Sequence, residues 1–164
     1  MAKKRGKAGK EAELLFEKWL RFLGYTWYHR YRATGHANFS RSHDLFKAID
    51  FQTIVNTGTP WEPVLPVVRS GARYWLVQVT TQNGRASRRR KIEEVPWPYL
   101  NQDLVDLVTH ETVDDPADRN QKMHYWRIER YDRYGWHKPI AVRFDKDEVE
   151  NYAREARRRE RAKA

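Results

Sequence analysis

Asp50 interrupts an apolar stretch at residues 48–55. A carboxylate in such a run is costly to bury unless it is paired or sits on a metal. A second apolar stretch, residues 73–80, ends in Gln78-Val79-Thr80. Alternate residues of a strand share a face, so Gln78 and Thr80 project together. If the two stretches pair, Asp50 and Gln78 meet at one edge of a sheet. Glu13, on the flank of an amphipathic helix, could reach the same place. Asp50, the Gln78 amide oxygen, the Val79 carbonyl and Glu13 are oxygen donors of the kind a hard cation such as Mg²⁺ takes, with water completing the octahedron. A metal there would activate water and stabilise charge developing on phosphorus.

Those residues need a scaffold, and composition bounds it. The chain has 164 residues, enough for one domain with a real core. With 40% hydrophobic and 13% aromatic residues it is not a disordered chain, although 33% of it is charged. The net charge of +10 favours polyanionic partners, nucleic acid above all. A basic balance alone does not separate an enzyme from a ribosomal or architectural protein. No apolar run approaches the ~20 residues that span a bilayer, and the basic start lacks an apolar signal region. There are no cysteines, which removes disulfides and Cys-ligated zinc and fits a reducing, cytoplasmic setting.

Residues 1–8 read as a flexible basic arm, and residues 9–164 as a single domain. Ala12, Leu15, Phe16, Trp19, Phe22 and Leu23 recur at helical spacing, predicting a helix over 9–23 that Gly24 ends. Residues 25–31 read as an aromatic-rich strand and 33–43 as a loop. The strand around Asp50 follows, then a segment at 64–68 interrupted by prolines. The strand ending at Thr80 leads into a helix that Ser87 could cap, running through Lys91 to Glu94. Residues 101–109 are a short helix or a strand, and 113–120 an acidic loop. Residues 123–131 and 136–144 form a hairpin, and 145–164 a helix. The order α-β-β-β-α-β-β-α implies an α/β fold with a mixed central sheet flanked by helices.

Set on that order, the chain resembles the PD-(D/E)XK nuclease superfamily, and within it the archaeal-type and phage Holliday junction resolvases. Gly9, Glu13 and Gly24 stand at that family's spacings. Arg30 or Arg32 fits its strand arginine, and Arg32-Ala33-Thr34-Gly35 is similar to its loop start. Asp50 matches its first acid, and Gln78-Val79-Thr80 stands where it has Glu-x-Lys. His43-Asp44-Leu45-Phe46 with Ile49-Asp50, followed by Lys91-Ile92 after the Gln-x-Thr, is similar to phage-type proteins of the superfamily. The likeness covers roughly residues 9–92. It implies a restriction-endonuclease-like fold, a Mg²⁺ cofactor that Mn²⁺ can replace, and a homodimer acting on four-way or otherwise branched DNA. It implies an intracellular site of action, in a bacterial host cell for a phage enzyme.

The departures set the rest of the expectation. Gln78 is neutral, so Glu13 or Asp44 must restore charge to a metal set of Glu13, Asp44, Asp50 and Gln78. Thr80 cannot replace a lysine electrostatically, so Lys91 or Arg88 on the next helix supplies the cation. The catalytic set is then Glu13, Asp50, Gln78, Thr80 and Lys91, with Thr80 mattering least. Arg85, Arg88, Arg89, Arg90 and Lys91 put five cations in seven positions, and phosphate is their expected contact. Arg30, Arg32, His36, Ser40 and His43 complete the expected DNA-binding set. The plainer readings are a solvated face for Glu13, which is one of three acids in its helix, and a loop role for His36. Tyr125 and Trp126 read as core or dimer surface rather than as base-stacking platforms. Two other functions stay open: a non-cleaving DNA-binding module of the same fold, and a basic RNA-binding protein.

Overall fold

Helix α1 (Lys3–Phe22) buries Ala12, Leu15, Phe16, Trp19 and Leu20 along one stripe, in a computed structural model that describes residues 3–25, 28–31, 48–54, 74–94 and 104–164. It begins inside the stretch 1–8 that reads as an arm. Lysine, arginine and alanine there are good helix formers, and nothing in the stretch breaks a helix outright. Its end is the expected one. Gly24 adopts φ +89°, and Tyr25 N–H returns to the Leu20 carbonyl at 3.0 Å, the hydrogen bond of a left-handed helix terminator.

Three antiparallel strands follow: β1 (Tyr28–Arg30), β2 (Phe51–Ile54) and β3 (Tyr74–Thr81). Helix α2 (Arg85–Glu93) then crosses over to β4 (Leu104–Asp114), which runs parallel to β3. β5 (Lys122–Asp132) returns antiparallel to β4. Both β6 (Gly135–Trp136) and β7 (Ile140–Phe144) pair with β5, completing a seven-stranded mixed sheet. Helix α3 (Lys146–Lys163) is capped by Asp145, whose side chain accepts from Glu148 N–H.

Several boundaries differ from the sequence reading. Of the stretch 101–109, the described residues from Leu104 onward are strand, and that strand continues to Asp114 through the start of the stretch read as an acidic loop. The second arm of the hairpin is split, because Pro139, which has no N–H for the ladder, lies between β6 and β7. Ser87 does not cap α2. The cap position is Gly84, and the Ser87 hydroxyl donates to the Gly84 carbonyl from inside the helix at 3.3 Å. The segment 64–68 lies outside the described residues.

The two faces of the sheet are unlike. Under α1 and α3, Phe16, Trp19, Phe51, Trp75, Val77, Val79, Trp126 and Phe144 form one continuous apolar cluster, with Phe16 edge-on to Phe51, Trp75 and Trp126. Lys18–Glu150 at 2.6 Å and Arg21–Glu160 at 3.1 Å tie the two helices together. Under α2 the apolar cluster is smaller: Ala48, Ile49, Leu76, Ile92, Val105 and Leu107. No described helix is long and apolar enough to cross a membrane.

At the far end of the large cluster, His110 and His124 stack in parallel, 5.3 Å between ring centroids, with Nε2 and Nδ1 3.0 Å apart. Burial, the neighbouring His124 and then Lys146 push His110 down to about 4. His124 is lowered too, by burial and then Lys146. An unfolded histidine takes its proton near 6.5. Between about pH 6.5 and 4 the unfolded chain therefore binds more protons, and stability falls as pH falls through that window. The urea midpoint should drop from pH 7 to pH 4.5, with a shallower dependence in His110→Gln. Equal slopes in the two proteins would show that His110 contributes nothing.

Candidate active site

Asp50 sits at the entrance to β2, where the ladder is about to run out. Its N–H donates to the Val77 carbonyl at 2.9 Å, and its carbonyl accepts from Tyr31 N–H at 2.8 Å. The next donor on β3 that faces β2 is Val79 N–H. The Asp50 carboxylate takes the place of a ladder carbonyl there: Oδ2 accepts from Val79 N–H at 2.8 Å and from Gln78 Nε2 at 2.5 Å. Sequence spacing and sheet register thus bring Asp50 and Gln78 into direct contact, both almost fully buried.

Gln78 uses its amide nitrogen twice, since Nε2 also donates to the Val79 carbonyl at 3.1 Å. Its Oε1 is buried and has no hydrogen-bond partner among the described residues. An acceptor left so costs about 1–3 kcal/mol. A cation or a donor at that oxygen removes the cost. Thr80 lies one alternation further along, its hydroxyl donating to the Thr81 carbonyl at 3.3 Å. The Gln82–Gly84 3-10 turn closes directly over it: a Cβ at Gly84 would stand 2.4 Å from Thr80 Oγ1. The short threonine fits beneath that turn.

Residues 76, 78 and 80 share the α2 face, while Trp75, Val77 and Val79 pack under α1. The register extends this polar face across the sheet. Gln78 lies beside Leu107 and then Glu129; Thr80 lies beside Thr109 and then Arg127. Thr109 Oγ1 is likewise buried without a partner among the described residues. Glu129, its side chain 3% exposed, accepts two bonds from Arg85, Nε to Oε2 at 2.7 Å and Nη2 to Oε1 at 2.8 Å. Arg89 Nη1 stands 3.6 Å from Oε1, and Arg127 Nε 3.8 Å from Oε2.

Glu13 is placed elsewhere. It lies on α1, against the opposite face from Gln78, where its Oε2 accepts from Arg30 Nη2 at 3.2 Å. Arg30 also donates to Glu17 at 2.8 Å and lies over the Phe51 ring at 5.7 Å. With its side chain 11% exposed, Arg30 acts here as an internal clamp between helix and strand. Lys91 and Arg90 are exposed on α2, and Arg88 is half-buried. Arg32, His36, Ser40, His43 and Asp44 lie outside the described residues.

Sequence reasoning missed Glu129 and Arg127. The rule that singled out Asp50, an acid inside an apolar strand, also points to Glu129 between Ile128 and Tyr131, and to Asp106 between Val105 and Leu107. Asp106 is a closed structural site: it accepts from Trp75 Nε1 at 2.8 Å and from Arg130 Nε and Nη2, both at 2.9 Å.

The chain matches no family model, no curated protein and no solved structure. The site therefore stands on its own geometry. Among the described residues no group of three or more His, Cys, Asp or Glu is placed to hold a metal. Asp50 and the donorless Gln78 Oε1 do fit a hard cation that keeps several of its waters, as Mg²⁺ does with one or two protein oxygens. The local fold makes one sharp demand. Gly84→Ala should cost about 1–3 kcal/mol by overpacking against Thr80, measured by urea denaturation. Adding Thr80→Ala should recover most of that, and strictly additive losses would show that the two positions do not meet.

Proposed function

We propose that this chain is a metal-dependent, structure-selective DNA endonuclease with a restriction-endonuclease-like core, acting as a Holliday junction resolvase on four-way DNA. The reading is carried by one observation: Asp50 and Gln78 meet at the end of the β2–β3 pair, and Gln78 Oε1 is buried there with no donor among the described residues. Support for the core comes from the order α1-β1-β2-β3-α2-β4, three antiparallel strands followed by a helical crossover to a parallel one. The net charge of +10 suits a polyanionic substrate. A homodimer would place two sites for paired nicks.

When bound, a divalent cation supplies an activated water and offsets charge on the scissile phosphate. The chain's own residues do the rest. Val79 N–H and Gln78 Nε2 orient the Asp50 carboxylate, and Gln78 Oε1 offers the second oxygen. The cation absent from position 80 comes from α2. Of the two sequence candidates, Arg88 is better placed than Lys91. It lies one helical turn before Ile92, on the same helix face, and Ile92 packs with Ala48 and Ile49 next to Asp50. Branched DNA would be recognised by shape through the basic surface, with little base reading.

A second reading has a specific observation behind it. Glu13 is engaged by Arg30, and Asp50 accepts two N–H donors, so both carboxylates have partners within the chain. That arrangement suits a DNA-binding module that does not cut. A synthetic four-way junction with Mg²⁺ or Mn²⁺ separates the two. The wild type should nick it in pairs. Asp50→Asn should lose more than the roughly 100-fold typical of disturbing a ligand's outer support, and Arg88→Ala should lose more than Lys91→Ala. A wild type that binds the junction but never cuts it, whatever the divalent metal, leaves only the second reading.

A further inference from the structure

Glu129 gathers more positive charge than it can satisfy. One buried carboxylate faces Arg85, Arg89 and Arg127. Arg85 takes both oxygens in a two-bonded fork. Arg89 at 3.6 Å and Arg127 at 3.8 Å are attracted but stand beyond hydrogen-bond range. Arg127 Nε is buried with no hydrogen-bond partner among the described residues. Two guanidinium groups are thus held close together by a carboxylate that does not use up their donors. Planar guanidinium donors of this kind suit the oxygens of a phosphate.

The same surface carries aromatic groups. Arg89 lies over the Trp136 ring at 4.6 Å, and Trp136 Nε1 donates to Glu93 at 2.8 Å, so the β5–β6 hairpin is fastened to α2. Beyond Trp136 the hairpin turn presents Tyr134, 71% exposed. The turn is braced: Asp132 accepts from Tyr134 N–H at 2.8 Å, His137 Nε2 contacts the same carboxylate at 2.8 Å, and Gly135 adopts φ +93°. An exposed ring on a braced turn stacks with little loss of freedom. Arg133 lies over it at 4.7 Å, adding positive charge to the tip.

We propose that the surface of α2 and the β5–β6 hairpin binds a single-stranded stretch of DNA, its phosphates on Arg89 and Arg127 beside Glu129 and an unpaired base stacked on Tyr134. This rests on the DNA reading above and extends it to the unpaired nucleotides near a branch. Stacking on aromatic rings and a basic track along the backbone are the two components such binding needs. Glu129 is the positioning residue.

The test is fluorescence anisotropy of the full chain with labelled oligo-dT, a duplex of equal length and oligo-U, all in EDTA over a salt series. Leaving out divalent metal makes the result independent of cleavage, so failure here and failure of the nuclease reading are separate outcomes. Tyr134→Ala should weaken oligo-dT binding roughly five- to hundred-fold, leave duplex binding unchanged, and be rescued by Tyr134→Phe. Arg89→Ala should weaken both DNAs and lower the single-strand salt slope by about 0.7. Glu129→Gln, if folded by circular dichroism, should weaken oligo-dT binding despite adding net positive charge. Unchanged oligo-dT binding in Tyr134→Ala, or tighter binding of duplex or oligo-U than oligo-dT, would overturn the proposal.

Discussion

Asp50 commits one carboxylate oxygen to two N–H groups of β3, and the edge of the sheet is built around that contact. Val79 N–H falls where β2 has no further carbonyl to offer, and a buried donor must find an acceptor. The carboxylate supplies it while remaining anchored by its own backbone to Val77 and Tyr31. Gln78 is then drawn in by its amide nitrogen, and its Oε1 is left buried without a hydrogen-bond partner among the described residues. Neither residue can be exchanged for an apolar one without losing both the end of the ladder and the contact between two of the sequence-selected site residues. Structure and chemistry are joined here in one hydrogen-bond set.

Three acids sit inside apolar strands, and their partners distinguish them. Asp106 faces one guanidinium and one indole N–H, so its charge is matched and its site is closed. Glu129 faces three guanidinium groups and is over-matched. The two β3 donors of Asp50 are uncharged N–H groups, one from the backbone and one from an amide side chain. Burial of an acid signals that something holds it. The charge of the holder decides whether the site is structural, anion-attracting or cation-attracting.

What was legible in the sequence follows the same logic. The apolar stripe of α1 and the strands around residues 50 and 78 were readable because each buries a continuous face. The meeting of Asp50 with Gln78 was readable from alternation. The fate of Glu13 was not, since Glu11, Glu13 and Glu17 look alike until Arg30 is placed, and Arg30 then takes Glu13 and Glu17 together. The last two residues of β4, Val113 and Asp114, were read as loop because they are exposed, so no apolar alternation marks them. Backbone pairing with Lys122, Met123 and His124 extends the strand regardless. Thr80 stands where the resemblance calls for lysine, and only in three dimensions does the close approach of Gly84 to its hydroxyl become visible.

The position of α2 ties these elements to one another. It has nine residues and only Ile92 fully buried, and a helix this short is marginal by itself. Apolar contact with the sheet is therefore a small part of what holds it. Arg85 on Glu129, Arg89 on Glu129 and Trp136, and Glu93 with Trp136 carry much of the remainder. The α1 face is sealed by aromatic packing, whereas α2 is held largely by ionic and polar contacts that an incoming phosphate can compete for. An anion that drew Arg89 away from Glu129 would remove one of the contacts that hold the helix whose first residues follow the turn over Thr80.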